Sequence, residues 1–225
     1  MRPSCLTIPL LLCPFAAFAV QDCELNGEHV NPANGYTTEG KTGMMKCHER
    51  DTGKLVREQE LRAGKFMGLV RYFNRDGKLE REYSVNDKGN RDGLAREFFP
   101  DGRVQREETY RNGSTVGIGR AWHANGALKR IAVRSEDGRS DIAEAEFNDR
   151  GQLRELRCAD RPVMGKDADD KAWCGHGARE PAVRELFSDK GELRGRVAHL
   201  DGRPTLSESF WDNGRLMEQR EIGKG

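Results

Sequence analysis

Seven glycines, Gly53, Gly77, Gly102, Gly126, Gly151, Gly191 and Gly214, follow one another at spacings of 24, 25, 24, 25, 40 and 23 residues. Two residues after each stands an aliphatic side chain: Leu55, Leu79, Val104, Leu128, Leu153, Leu193 and Leu216. Four residues before the last six stands an aromatic ring: Phe73, Phe98, Trp122, Phe147, Phe187 and Phe210. Eight residues before them stand Leu69, Leu94, Ile118, Ala143, Val183 and Leu206. Three aligned columns at one period mean a repeated supersecondary unit, and a repeated unit restricts the chain to an array.

Within each unit the aliphatic and aromatic columns are separated by an even number of residues, so on a strand they share a face. Between them, six residues before each glycine, stand Arg71, Arg96, Arg120, Ala145, Glu185 and Glu208. That face therefore mixes rings with charged heads, whose long stems can lie along the rings. The segments NRDG, PDG, ANG, DRG, DKG and DNG supply the residues that tolerate positive φ or close a turn through a side chain. A Gly-containing turn about every dozen residues is incompatible with helices. The unit reads as strand, tight turn, strand, looser turn. The expected fold is all-β: tandem hairpins forming one elongated, twisted antiparallel sheet.

Composition agrees with a thin structure. Charged residues make up 33% and hydrophobic residues 36% of the chain, and mean hydropathy is −0.82. A compact domain of about 200 residues would enclose a thicker core. The first nineteen residues, with Arg2, an apolar run from Leu6 to Phe18 and small residues at Ala17 and Ala19, read as a secretory signal peptide. Residues 20–51 then read as an amino-terminal cap and 52–225 as the repeat domain. Without Arg2 the 38 basic residues become 37, against 37 acidic ones. A balance of this kind gives no electrostatic case for nucleic acid. No segment after the signal approaches the roughly 20 apolar residues that span a bilayer, so no stable membrane insertion is expected.

Four cysteines follow the signal: Cys23, Cys47, Cys158 and Cys174. An even count in an exported chain points to disulfides. Three pairings are open; the sequence-local one, Cys23–Cys47 with Cys158–Cys174, is favoured.

The phrases GLVRYFNRDGKL, GLAREFFPDGRV and GIGRAWHANGAL, and more loosely VRELFSDKGEL and LSESFWDNGRL, resemble the variant class of MORN repeats. The resemblance runs roughly from Thr52 to Leu216. It implies a role in binding: bacterial members are described as antitoxin-like, and exported ones resemble immunity proteins paired with secreted toxins, including type VI lipase effectors. The expected partner is therefore a toxic effector met in the periplasm. The alternative is an envelope scaffold that binds cell-wall or envelope components. Oligomeric state stays open.

The array breaks once. Between Gly151 and Gly191 about 15 residues are added, forming an insertion over 157–181 that cysteines open and nearly close. It carries Asp160, Asp167, Asp169, Asp170, Lys171, Trp173 and His176. Insertions in repeat arrays collect on loops and often form the binding face. A disulfide-pinned loop rising from the sheet, with Asp167, Asp169, Asp170, Lys171, Trp173 and His176 as contacts, is one reading; a solvated excursion is the other. Arg71, Arg96 and Arg120 are further contact candidates on the sheet face. No metal is expected: KDADD lacks the glycine and late Glu of a calcium loop, and Cys158, Cys174 and His176 lack a fourth zinc ligand. No cofactor and no catalytic residue is assigned, because no nucleophile elbow, metalloprotease motif or phosphate-binding glycine loop occurs.

Overall fold

A computed structural model describes residues 21–223; the expected signal segment lies outside them. The amino-terminal strands are β1 (Gln21–Leu25), β2 (Glu28–Val30) and β3 (Gly43–Glu49). Then follow β4 (Leu55–Arg62), β5 (Lys65–Phe73), β6 (Leu79–Val85), β7 (Arg91–Phe98), β8 (Val104–Arg111), β9 (Ser114–Trp122) and β10 (Leu128–Arg134). β11 (Asp141–Phe147) and β12 (Leu153–Arg157) precede a helix, α1 (Asp167–Cys174). The chain finishes with β13 (Ala182–Phe187), β14 (Leu193–Leu200), β15 (Arg203–Phe210) and β16 (Leu216–Glu221).

All neighbours are antiparallel. They form a 12-stranded sheet, in the order β12 back through β3, then β1 and β2, and a 4-stranded sheet from β13 to β16. The hairpin series is thus divided at the insertion, where β12 and β13 no longer exchange ladder bonds. The columns read from the sequence meet as cross-strand pairs: Phe73 with Leu79, Phe98 with Val104, Trp122 with Leu128, Phe147 with Leu153, Phe187 with Leu193 and Phe210 with Leu216. A one-residue register irregularity stands beside each pair.

The two kinds of turn differ from the expected order of tightness. At the repeat glycines the connection is a longer loop: Gly77 donates to the Asn74 carbonyl and Asn74 to that of Lys78, both at 2.9 Å, while Asn74 Oδ1 accepts from Asp76 and Lys78. The returns at Ala63-Gly64, Asn112-Gly113 and Asp201-Gly202 are the tight ones, with two residues at positive φ between paired strand ends. Two successive left-handed residues give the turn whose twist matches a hairpin.

Apolar burial is concentrated in two places. The cap holds Cys23, Leu25, Val30, Met45, Cys47 and Leu61, with Cys23 directly opposite Cys47 and bonded to it. The second cluster lies where α1 meets β10, β11 and β12. Between them the sheet is covered by charged and aromatic side chains. Tyr72 and Tyr83 stack at 6.2 Å, and the Arg81 and Arg91 guanidinium groups lie 4.2 and 4.4 Å over their rings. Arg stems over rings do here what a second layer does elsewhere, so the array needs few aliphatic residues.

Candidate binding site

The front face, which carries the three columns, is built differently along its length. Register aligns the central column across strands as Glu58, Arg71, Glu82, Arg96, Glu107 and Arg120. Arg71 lies 3.4 Å from both Glu58 and Glu82. Arg96 lies 3.5 Å from Glu82 and 2.8 Å from Glu107. The Glu107 hydrogen bond, with Glu82 beyond it, holds the Arg96 guanidinium above its ordinary pKa. Two of the three arginines considered for contact are therefore neutralised within the sheet. Arg120 makes no ion pair within 4.0 Å among the described residues: Glu107 opposite it on β8 is bonded to Arg96, and its neighbour on β10 is Ile131.

From Ile131 the central column turns apolar, continuing through Ala145 to Leu156. The insertion lies on this stretch. The Cys158–Cys174 disulfide joins its entrance to the end of α1, with Cα atoms 5.6 Å apart. Met164, Ala159 and Cys174 are buried with Ile131, Ala143, Ala145 and Phe147, and the Trp173 ring sits 5.5 Å from that of Phe147. Gly165 crosses so closely over Ile118 and Arg120 that a β-carbon there would meet both at under 3 Å. The expected loop rising from the sheet is instead a helix-bearing cover laid flat on it, since Ala145 stands where an arginine would have kept the surface polar.

The contact candidates in the insertion divide accordingly. Asp170 is only 3% exposed, and its carboxylate accepts from the amides of Val163 at 2.9 Å and Met164 at 3.0 Å. It folds the insertion and offers no charge outward. Trp173 is half-buried against Phe147, and His176 is buried. Asp167 and Lys171 are exposed and Asp169 half-buried on the first turns of α1, where carboxylates complement the helix dipole. The helix ends at Gly175, whose φ of 69° closes the last turn.

The end of the insertion docks on the β14–β15 turn. Gly202 donates to the Cys174 carbonyl at 2.8 Å, and Gly177 to the Asp201 carboxylate at 3.1 Å. His199 is buried beside this joint, its Nδ1 without a partner among the described residues. Burial pushes its imidazole pKa down.

Beyond the joint the aliphatic column continues uncovered. Val183, Ala198, Leu206 and Glu221 form a row across β13 to β16. With Leu200 and Ile222 they line a groove of about 690 Å³, rimmed by Glu180 and Glu221. Val183 is 49% exposed, whereas its counterparts Ile118 and Ala143 lie under the insertion. The sequence contained this site, since Val183 and Leu206 belong to a named column. Their exposure was not legible there, because the column by itself does not say how far the insertion reaches.

Residues 91–112 match the family model described as MORN repeat variant, which covers β7, its turn and β8. The same pairing recurs in the hairpins on either side. No curated protein sequence matches the chain. Among solved structures, the crystal structure of TarM aligns with 42% of this chain and 18% of its own at 21% identity, TM-score 0.30. That of accessory secretory protein 1, 2 and 3 in Streptococcus pneumoniae aligns with 50% of this chain and 19% of its own at 17% identity, TM-score 0.31. The chain thus spans less than a fifth of each of these structures.

Proposed function

We propose that this hairpin array, which includes a MORN-variant unit, is a binding protein of the cell envelope. We infer that it is an immunity protein, and that its partner is a secreted toxic effector. One observation carries the reading: an apolar groove of about 690 Å³ on a rigid sheet, at the point where the insertion stops covering the aliphatic column. Two disulfides are formed, which suits an exported chain in an oxidising compartment. No helix among the described residues is long and apolar enough to cross a membrane. A preformed surface loses little entropy on association, and uncovered aliphatic residues bordered by Glu180 and Glu221 combine an apolar centre with a charged rim. The partner face this fits is apolar with basic residues at its border.

Capture of partners from the exported fraction tests the reading, using the mature protein and a Val183→Asp/Leu206→Asp variant. One stoichiometric partner, toxic in the absence of this protein and lost from the variant at unchanged melting temperature, is the expected result. A diffuse set of envelope proteins captured equally by both forms would overturn it and favour the scaffold alternative. Deleting the insertion is a poor substitute test, since it would strip the cover from Ile131, Ala145 and Phe147.

A further inference from the structure

Among the described residues β16 is bonded on one side only. Ile222 donates to the Thr205 carbonyl at 2.9 Å, and the register sets Arg220 opposite Ser207 and Glu218 opposite Ser209. Residues along an antiparallel strand alternate in the side to which they direct their backbone groups. The N–H and C=O groups of Glu218, Arg220 and Ile222 are therefore engaged with β15. Those of Gln219 and Glu221 point outward to the open edge, while at Met217 a register irregularity breaks the alternation. Every residue of the strand is exposed, and it holds neither proline nor lysine, two of the residues that blunt edges.

We propose that this edge pairs with the same edge of a second copy, antiparallel about a two-fold axis through Gln219. In that register Gln219 faces its own counterpart. It is outward-directed, so this pair exchanges both backbone bonds. The flanking pairs, whose side chains approach more closely, are Glu218 opposite Arg220 twice. Within one copy Arg220 and Glu218 already pair at 2.7 Å with both side chains exposed, so the two copies close a four-membered charge ring.

Neighbouring registers fail. An axis through Glu218 or Glu221 sets carboxylate against carboxylate, and one through Arg220 sets guanidinium against guanidinium. Gln219 also continues the central column after Glu185, Arg196 and Glu208. It is the uncharged member of that row, as a residue that meets itself on an axis must be. The interface is isologous and closed, with the two 4-stranded sheets joined into one.

Light scattering across a concentration series tests the proposal on the mature protein, on Arg220→Glu and on the exchange Glu218→Arg/Arg220→Glu. The expected result is twice the chain mass for the native protein, loss of the dimer in the single variant, and its return in the exchange. A native protein of single-chain mass at every concentration overturns the proposal, whether or not the edge accepts a foreign strand. So does a dimer indifferent to Arg220→Glu, or an exchange variant that stays monomeric.

Discussion

Gly202 and His199 show how tightly the insertion is tied to the second sheet. A β-carbon at Gly202 would stand 1.7 Å from the Ala159 carbonyl oxygen, at a φ of 76°. The Asp-Gly turn is plain in the sequence, but nothing local to it signals that Ala159, more than forty residues earlier, lies against it. His199 makes the same joint sensitive to acid. Its folded pKa lies below the unfolded value of about 6.5, so the neutral ring's contribution is complete above that value and is lost as pH falls through it toward the folded pKa. The native protein is therefore expected to melt at a lower temperature at about pH 5.5 than at about pH 7.5. His199→Gln should flatten that dependence; identical slopes for the two proteins would show that another group is responsible.

At the level of elements, the hairpins were readable because each repeats a turn and two columns, and period-2 patterning specifies a strand's face. The helix was not. Asp167–Cys174 has no apolar stripe of its own, and its inward residues, Asp170 and Cys174, are an acid and a disulfide half. What places it is tertiary: the Val163 and Met164 amides on Asp170, Trp173 on Phe147, and the bond to Cys158. A Cys158→Ser/Cys174→Ser variant is expected to lose about 3 kcal/mol, the value for closing a loop of this length. Its amide exchange should rise in α1 while the cap keeps its protection. Loss of protection across the whole 12-stranded sheet would mean that the insertion stabilises far more than its own neighbourhood.

Across the whole molecule, stability is unevenly distributed. The two apolar clusters sit at the cap and beneath the insertion, and β6, β7 and β8 between them are held by ion pairs and Arg–Tyr stacking. Exposed ion pairs contribute about 0–1 kcal/mol each, less than buried aliphatic groups do. Amide exchange should accordingly be slowest in β3–β4 and β10–β11 and faster in β6–β8, measured on the native protein. Uniform protection along the array would contradict this. The low hydrophobic content announced a thin sheet, but not where its thickness would return, because Ala145 and Ile131 become significant only when register sets them side by side.

The signs along the central column bear on how copies of one hairpin keep their order. Before the insertion the leading strands carry Arg71, Arg96 and Arg120 and the return strands Glu82 and Glu107; after it, Glu185 and Glu208 lead and Arg196 returns. A late hairpin seated in an early place would set its carboxylate beside a carboxylate on one side and its arginine beside an arginine on the other, and the reverse error would likewise juxtapose like charges. Near-identical units are in this way addressed by polarity, a one-bit label that lets a repetitive chain reject its own misassembled halves.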